Sequence, residues 1–172
     1  RLGGLAIFLG LFFGLVAAVV AFYADNTGFL HISAMVMVGW MCALLPALAG
    51  GIVEDLTQRL PVTYRLVLTG LSATLALLLL DVELIRLGLP FLDAALGTVP
   101  WLGLVLAFVA ITGLPHAFNI SDGYNGLAGM VALAVCLALT YVALQVGDRQ
   151  LAGVLVCLTG APAGLLVWNY PR

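Results

Sequence analysis

The sequence predicts an all-α membrane protein, a polytopic bundle of about six transmembrane helices. Of its 172 residues, 64% are hydrophobic and 8% are charged, with a mean hydropathy of +1.21, whereas a soluble domain carries about 25% charged residues. The apolar residues gather into runs of about 20, the length a helix needs to cross roughly 30 Å of hydrocarbon. The alternating segments of about ten residues that build a closed barrel do not occur.

The first span covers Gly3–Ala24. The glycines of its opening RLGG let helices approach closely, which outweighs a ligand-binding loop as their explanation. A polar turn with Asn26 and Gly28 follows, and His31 stands at the edge of the next span as an interfacial residue. The second span covers 32–53, with a kink expected at Pro46 because proline removes a backbone donor and clashes with the preceding turn. The third runs over 62–80 from Pro61, with Tyr64 and Arg65 at its entrance. Residues 81–100 are too interrupted by charge, glycine and proline to span and form an extramembrane loop with a small strand pair or an interfacial helix. The fourth span begins at 101–114 and runs into Pro115, the fifth covers 126–146, a turn at 147–150 reverses the chain, and the sixth covers 151–168. No repeat or linker divides the chain, so residues 1–172 read as one membrane domain.

Charge and cysteine usage exclude several partner classes. The net charge is −2 and every basic residue is arginine, so no basic patch points to nucleic acid or to a polybasic membrane anchor. Cys42, Cys136 and Cys157 fall singly within apolar runs, without metal-ligand spacing or a disulfide framework, and read as small packing residues. With alternating spans, Arg1, Arg59, Arg65 and Arg172 lie on one side and Arg86 and Arg149 on the other, which favours a cytoplasmic N-terminus.

Two polar islands interrupt this apolar chain. Residues 54–59 read EDLTQR, and residues 116–129 read HAFNISDGYNGLAG. Hydrocarbon tolerates such segments only where protein or water satisfies their dipoles. Adjacent carboxylates at a membrane boundary repel each other and call for a cation, a proton or an arginine nearby. If the helix continues, Arg59 stands one turn after Asp55 and faces it; taken alone, the segment is an ordinary solvated loop with a weak ion pair. Two spans separate the islands, so both are expected on one membrane face. A carboxylate pair with an asparagine carbonyl suits magnesium, which takes oxygen ligands and is commonly held by one or two protein groups plus substrate phosphates. Zinc fits poorly without a Cys or His cluster. In a helical segment Asn119 and Asp122 share a side, and Gly123 and Gly126 allow close backbone approach.

The segments GGIVEDLTQRLPVTYRL and HAFNISDGYNGLAG, in this order, together with the initial RLGGLAIF, resemble the bacterial polyprenyl-phosphate N-acetylhexosamine-1-phosphate transferases. That family includes phospho-MurNAc-pentapeptide translocase and the GlcNAc-1-phosphate transferases. The resemblance implies a fold of about ten spans in the bacterial inner membrane, with the active site on the cytoplasmic face. It implies transfer of a sugar 1-phosphate from a UDP-N-acetylhexosamine to undecaprenyl or another polyprenyl phosphate, releasing UMP, at the start of cell-envelope polysaccharide synthesis. Magnesium is the implied cofactor, with manganese as its substitute, and a homodimer is the implied assembly.

By the same resemblance, Glu54 and Asp55 occupy the family's acidic pair, usually two aspartates. Asp55 is then the chief catalytic residue, deprotonating or positioning the lipid phosphate, with Glu54 supporting it. Asn119 matches the asparagine directed at magnesium, and Asp122 matches a neighbouring catalytic acid. Asn125, where some members carry a second aspartate, joins Gly123 and Arg59 in binding substrate. His116 replaces a frequent asparagine and takes a packing or hydrogen-bonding role at a helix end. Relatives continue past an Asn-x-Pro-like segment, here 169–171, into a further metal-ligand aspartate and a histidine-bearing loop, so these 172 residues alone are expected to be an inactive part of an enzyme. The competing reading is a small transporter whose acids line an ion path, which requires those acids at different membrane depths.

Overall fold

The computed structural model describes residues 3–25, 32–82, 84–121 and 126–169, all helix or connecting turn. Seven helices follow in order: α1 (Gly3–Asp25), α2 (Ala34–Thr57), α3 (Val62–Leu79), α4 (Pro90–Thr98), α5 (Pro100–Ser121), α6 (Leu127–Gln145) and α7 (Arg149–Asn169). All but α4 are long and apolar enough to cross a membrane, as expected. The 81–100 segment holds the short helix α4, with no strand among the described residues. It is fastened by Asp93, whose carboxylate accepts from the Leu87 amide at 2.7 Å and pairs with Arg86 at 3.7 Å. Asn26, Gly28, His31 and residues 170–172 lie outside the described residues.

The outward faces are apolar. Phe13, Leu78 and Tyr141 are 64%, 70% and 65% exposed, a surface that water would not tolerate over so many side chains and that lipid solvates. Packing inside therefore depends on close helix approach rather than on a hydrophobic drive between helices.

The chain falls into two compact units, residues 1–38 with 118–172, and residues 39–117. In the first, α7 packs against both α1 and α6. A Cβ placed on Gly10 or Gly14 would meet Ala161 or Cys157 at 3.3 Å, so these small residues set the α1–α7 spacing. Between α6 and α7 the chain reverses in a Schellman turn: the Asp148 amide reaches Ala143 O at 2.9 Å and the Gly147 amide Leu144 O at 3.3 Å. Gly147 supplies the required left-handed residue at φ +79. The Asp148 carboxylate then caps α7 by accepting from the Leu151 amide at 2.9 Å.

In the second unit α2 and α3 form an antiparallel hairpin. Pro46 sits inside α2 and disturbs the backbone ladder around it. The buried Ser72 hydroxyl of α3 accepts from the Ala47 amide at 2.9 Å, so a side chain of the neighbouring helix bonds the amide that follows the proline. Gly50 brings the helices close, since a Cβ there would lie 2.9 Å from Leu68 Cδ1.

Candidate functional site

The first polar island is the end of α2 and the turn into α3. Glu54 and Asp55 occupy the last turn of α2, both half-buried. The helix stops after Thr57 because Gln58 enters the left-handed region at φ 52 while its amide still reaches Glu54 O at 2.7 Å. Thr57 closes the end by donating to Val53 O at 2.6 Å, and its hydroxyl accepts the Arg59 amide at 3.4 Å.

This ending corrects the expected partnership of Asp55 with Arg59. That pairing requires the helix to run on to residue 59, whereas the left-handed Gln58 takes Arg59 off the helix and leaves it exposed. The arginine that meets the acids is Arg65, in the first turn of α3, whose Nη2 pairs with Glu54 Oε1. The same nitrogen donates to Leu60 O at 3.4 Å, so the guanidinium bridges the break between the helices. Among the described residues Asp55 has no ion-pair partner.

Arg65 begins a polar stripe on α3. Residues at i, i+4 and i+7 share a helix face, and here they are Arg65, Thr69 and Ser72. Arg65 reaches Glu54 on α2, Thr69 Oγ1 lies 3.2 Å from His116 Nε2 on α5, and Ser72 accepts from Ala47 on α2. Thr69 also approaches the carbonyls of Arg65 and Leu66 at 3.0 and 3.1 Å, so its single proton is shared among alternatives. His116 thus has the hydrogen-bonding role expected of it. It opens the second island and meets α3 at Thr69, about one helical turn along that helix from Arg65.

Helix α5 continues through Pro115 to Ser121, which places Asn119 in its last turn with an exposed side chain. Asp122, Gly123 and Asn125 lie outside the described residues. Among the described residues no three His, Cys, Asp or Glu side chains gather as a metal cage. Within the unit of residues 39–117, Glu54 and Asp55 are oxygen donors of the kind magnesium takes, and substrate phosphates can supply further ligands. Of the two, Glu54 is engaged by Arg65 and is the less free.

Sequence reasoning assigned no site role to Arg65, Thr69 or Ser72. Their signal was present as three polar residues at helical spacing in an otherwise apolar span, a pattern that marks the face turned toward other helices.

Residues 37–172 match glycosyl transferase family 4. The phospho-N-acetylmuramoyl-pentapeptide-transferase of Chlamydia pneumoniae is 37% identical over 91 residues, covering 48% of this chain and 26% of that protein. The protein of the same name from Clostridium botulinum is 28% identical over 141 residues, 75% of this chain and 43% of the relative. A Bacillus subtilis protein named probable undecaprenyl-phosphate N-acetylglucosaminyl 1-phosphate transferase is 24% identical over 170 residues, 99% of this chain and 44% of the relative. The chain thus spans less than half the length of these curated relatives. No solved structure matches it.

Proposed function

The chain belongs to glycosyl transferase family 4, and from that premise we propose that its protein transfers an N-acetylhexosamine 1-phosphate from a UDP-sugar to polyprenyl phosphate. In a bacterial inner membrane the acceptor is undecaprenyl phosphate, the products are UMP and a pyrophosphate-linked lipid, and the reaction takes place at the cytoplasmic face. The observation that carries this reading is the family match over residues 37–172, which includes both polar islands. The relatives' names supply the chemistry of acceptor and transferred group. A transporter is not favoured by a family of transferases.

In the reaction a phosphate oxygen of the lipid attacks the β-phosphorus of the UDP-sugar. The bond from that phosphorus to the bridging oxygen breaks, and UMP leaves with the oxygen and its electron pair. Asp55 holds or deprotonates the attacking phosphate: it is half-buried and lacks an ion-pair partner among the described residues. Arg59, exposed and released from the helix, offers its planar fork to phosphate oxygens. Asn119 would hold magnesium, which when bound supplies neutralising charge for the diphosphate, and Asp122 would be the neighbouring catalytic acid. Gly123 and Asn125 bind the sugar nucleotide alongside them. Most of the catalytic effect is alignment and charge stabilisation, as is general for phosphoryl transfer.

The test is to express the protein from its complete reading frame, purify it and measure UMP release from UDP-N-acetylhexosamines with undecaprenyl phosphate and magnesium. Release that requires both the lipid and the metal is expected. No release with any UDP-N-acetylhexosamine contradicts the reading.

A further inference from the structure

We infer that Arg65 is the positioning residue of the acidic pair: by engaging Glu54 it removes that carboxylate from the chemistry and leaves Asp55 as the acid available to substrate. The inference rests on the proposed transferase reading and adds a division of labour between two acids that their adjacency in sequence leaves equivalent.

Three observations carry it. Arg65 Nη2 is shared between Glu54 Oε1 and Leu60 O, so the guanidinium is tied both to the last turn of α2 and to the segment leading into α3. The two side chains are 27% and 33% exposed, which places their pairing partly out of water. Arg65 Nε is buried with no hydrogen-bond partner, so the guanidinium is placed to meet Glu54 with one of its own donors left unmet. A buried unmet donor carries a cost that calls for an explanation, and fixing Glu54 supplies one.

Helix geometry supplies the consequence. Consecutive residues on an α-helix point about 100° apart, so a Glu54 directed at α3 leaves Asp55 directed elsewhere. The charged and titratable residues next to the pair in sequence are Asp55, Arg59 and Tyr64, and the polar stripe of α3 leads from Arg65 through Thr69 to His116 of α5. Arg59 is exposed, and His116 is hydrogen-bonded to Thr69. Arg65 is thus the cation with which the structure separates the two acids. Without it, Glu54 becomes a free anion beside Asp55 and repels the incoming lipid phosphate. Without Glu54, the guanidinium is released and can capture Asp55.

The experiment uses the complete protein with Arg65→Gln, Glu54→Gln, the double substitution, and the charge exchange Glu54→Arg with Arg65→Glu. UMP release is measured with undecaprenyl phosphate and a UDP-N-acetylhexosamine, and thermal unfolding in detergent is followed in parallel. Each single substitution is expected to lower kcat/KM at least tenfold with little change in the unfolding midpoint, and the double to recover at least fivefold over either single; a recovery of kcat/KM that only follows a recovery of the midpoint overturns the inference, because an unpaired half-buried charge destabilises the structure by itself. Losses that multiply in the double overturn the inference, because Arg65 would then act on substrate directly. A double as poor as Glu54→Gln alone also overturns it, because Glu54 would then be catalytic. If the unsubstituted protein releases no UMP, the transferase reading falls separately. The pairing is then decided by unfolding: the charge exchange must recover midpoint temperature lost by Glu54→Arg or Arg65→Glu alone, and no recovery overturns it.

Discussion

Replacing Ser72 by alanine removes one hydroxyl from the α2–α3 hairpin and isolates the consequence of Pro46. The Ser72 oxygen accepts from the Ala47 amide at 2.9 Å from a residue that is 8% exposed. Hydrogen bonds between membrane helices average about 0.6 kcal/mol and reach about 1.7, because the unfolded chain in the membrane finds other partners. Leaving a buried donor unmet costs about 1–3 kcal/mol. Ala47 belongs at the upper end of the first range, since the ring of the proline before it crowds the carbonyls of the preceding turn and is expected to weaken the helical bond of its amide. We therefore expect Ser72→Ala to destabilise the protein by about 1.5 kcal/mol, roughly a tenfold change in the folding equilibrium. The assay is reversible unfolding in mixed micelles. Repeating it in a Pro46→Ala background supplies the control: with the ladder restored, the Ser72 substitution should cost less by at least about 0.5 kcal/mol, a coupling typical of residues sharing one network. A cost below about 0.3 kcal/mol, or the same cost in both backgrounds, refutes the reasoning.

Other expectations follow from the same geometry. Gly103→Ala places a Cβ against the Leu84 carbonyl, which is backbone, and Gly50→Ala places one against the end of the Leu68 side chain. The first should cost about 1–3 kcal/mol as overpacking and the second clearly less, as read by unfolding midpoints; equal costs would show that the Leu84 segment yields. Asp55→Asn should lower UMP release by about 10²–10⁴-fold, the usual contribution of a positioned acid or base, with an unchanged unfolding midpoint. Asp122→Asn should likewise lower UMP release strongly, whereas Asn119→Ala should lose release that added magnesium partly restores. Removing divalent cations with a chelator should abolish release, and magnesium should restore it, with manganese as a substitute.

The spans were legible because each is an apolar run of membrane-crossing length, and composition alone decides what such a run does. The turn at 147–150 was legible for the same local reason: Gly147 admits the left-handed conformation, and Asp148 caps the helix that follows. The acid–arginine partnership was not. Spacing placed Arg59 one turn beyond Asp55, and only the left-handed Gln58, a residue type that gives little warning of that conformation, ends the helix first. Arg65 then reaches Glu54 across the break, a contact fixed by how α2 packs on α3 and by nothing local to either segment. His116 was read correctly as a hydrogen-bonding residue but not as a helix-end one, since α5 runs on through Pro115 to Ser121, and its partner Thr69 became identifiable only once α3 and α5 were packed. The candidate residues Asp55 and Asn119 came from motif resemblance. The roles proposed for them rest on that resemblance, and the structure shows Asp55 half-buried and Asn119 exposed, each in the last turn of its helix.

The most direct test of the central claim follows the β-phosphate. Incubating the complete protein with undecaprenyl phosphate, magnesium and a UDP-N-acetylhexosamine carrying 32P at the β-position distinguishes transfer of a sugar phosphate from transfer of the sugar alone. The account predicts that the label moves into the lipid fraction in step with unlabelled UMP. Label retained as UDP while sugar enters the lipid, or no lipid labelling at all, would contradict it.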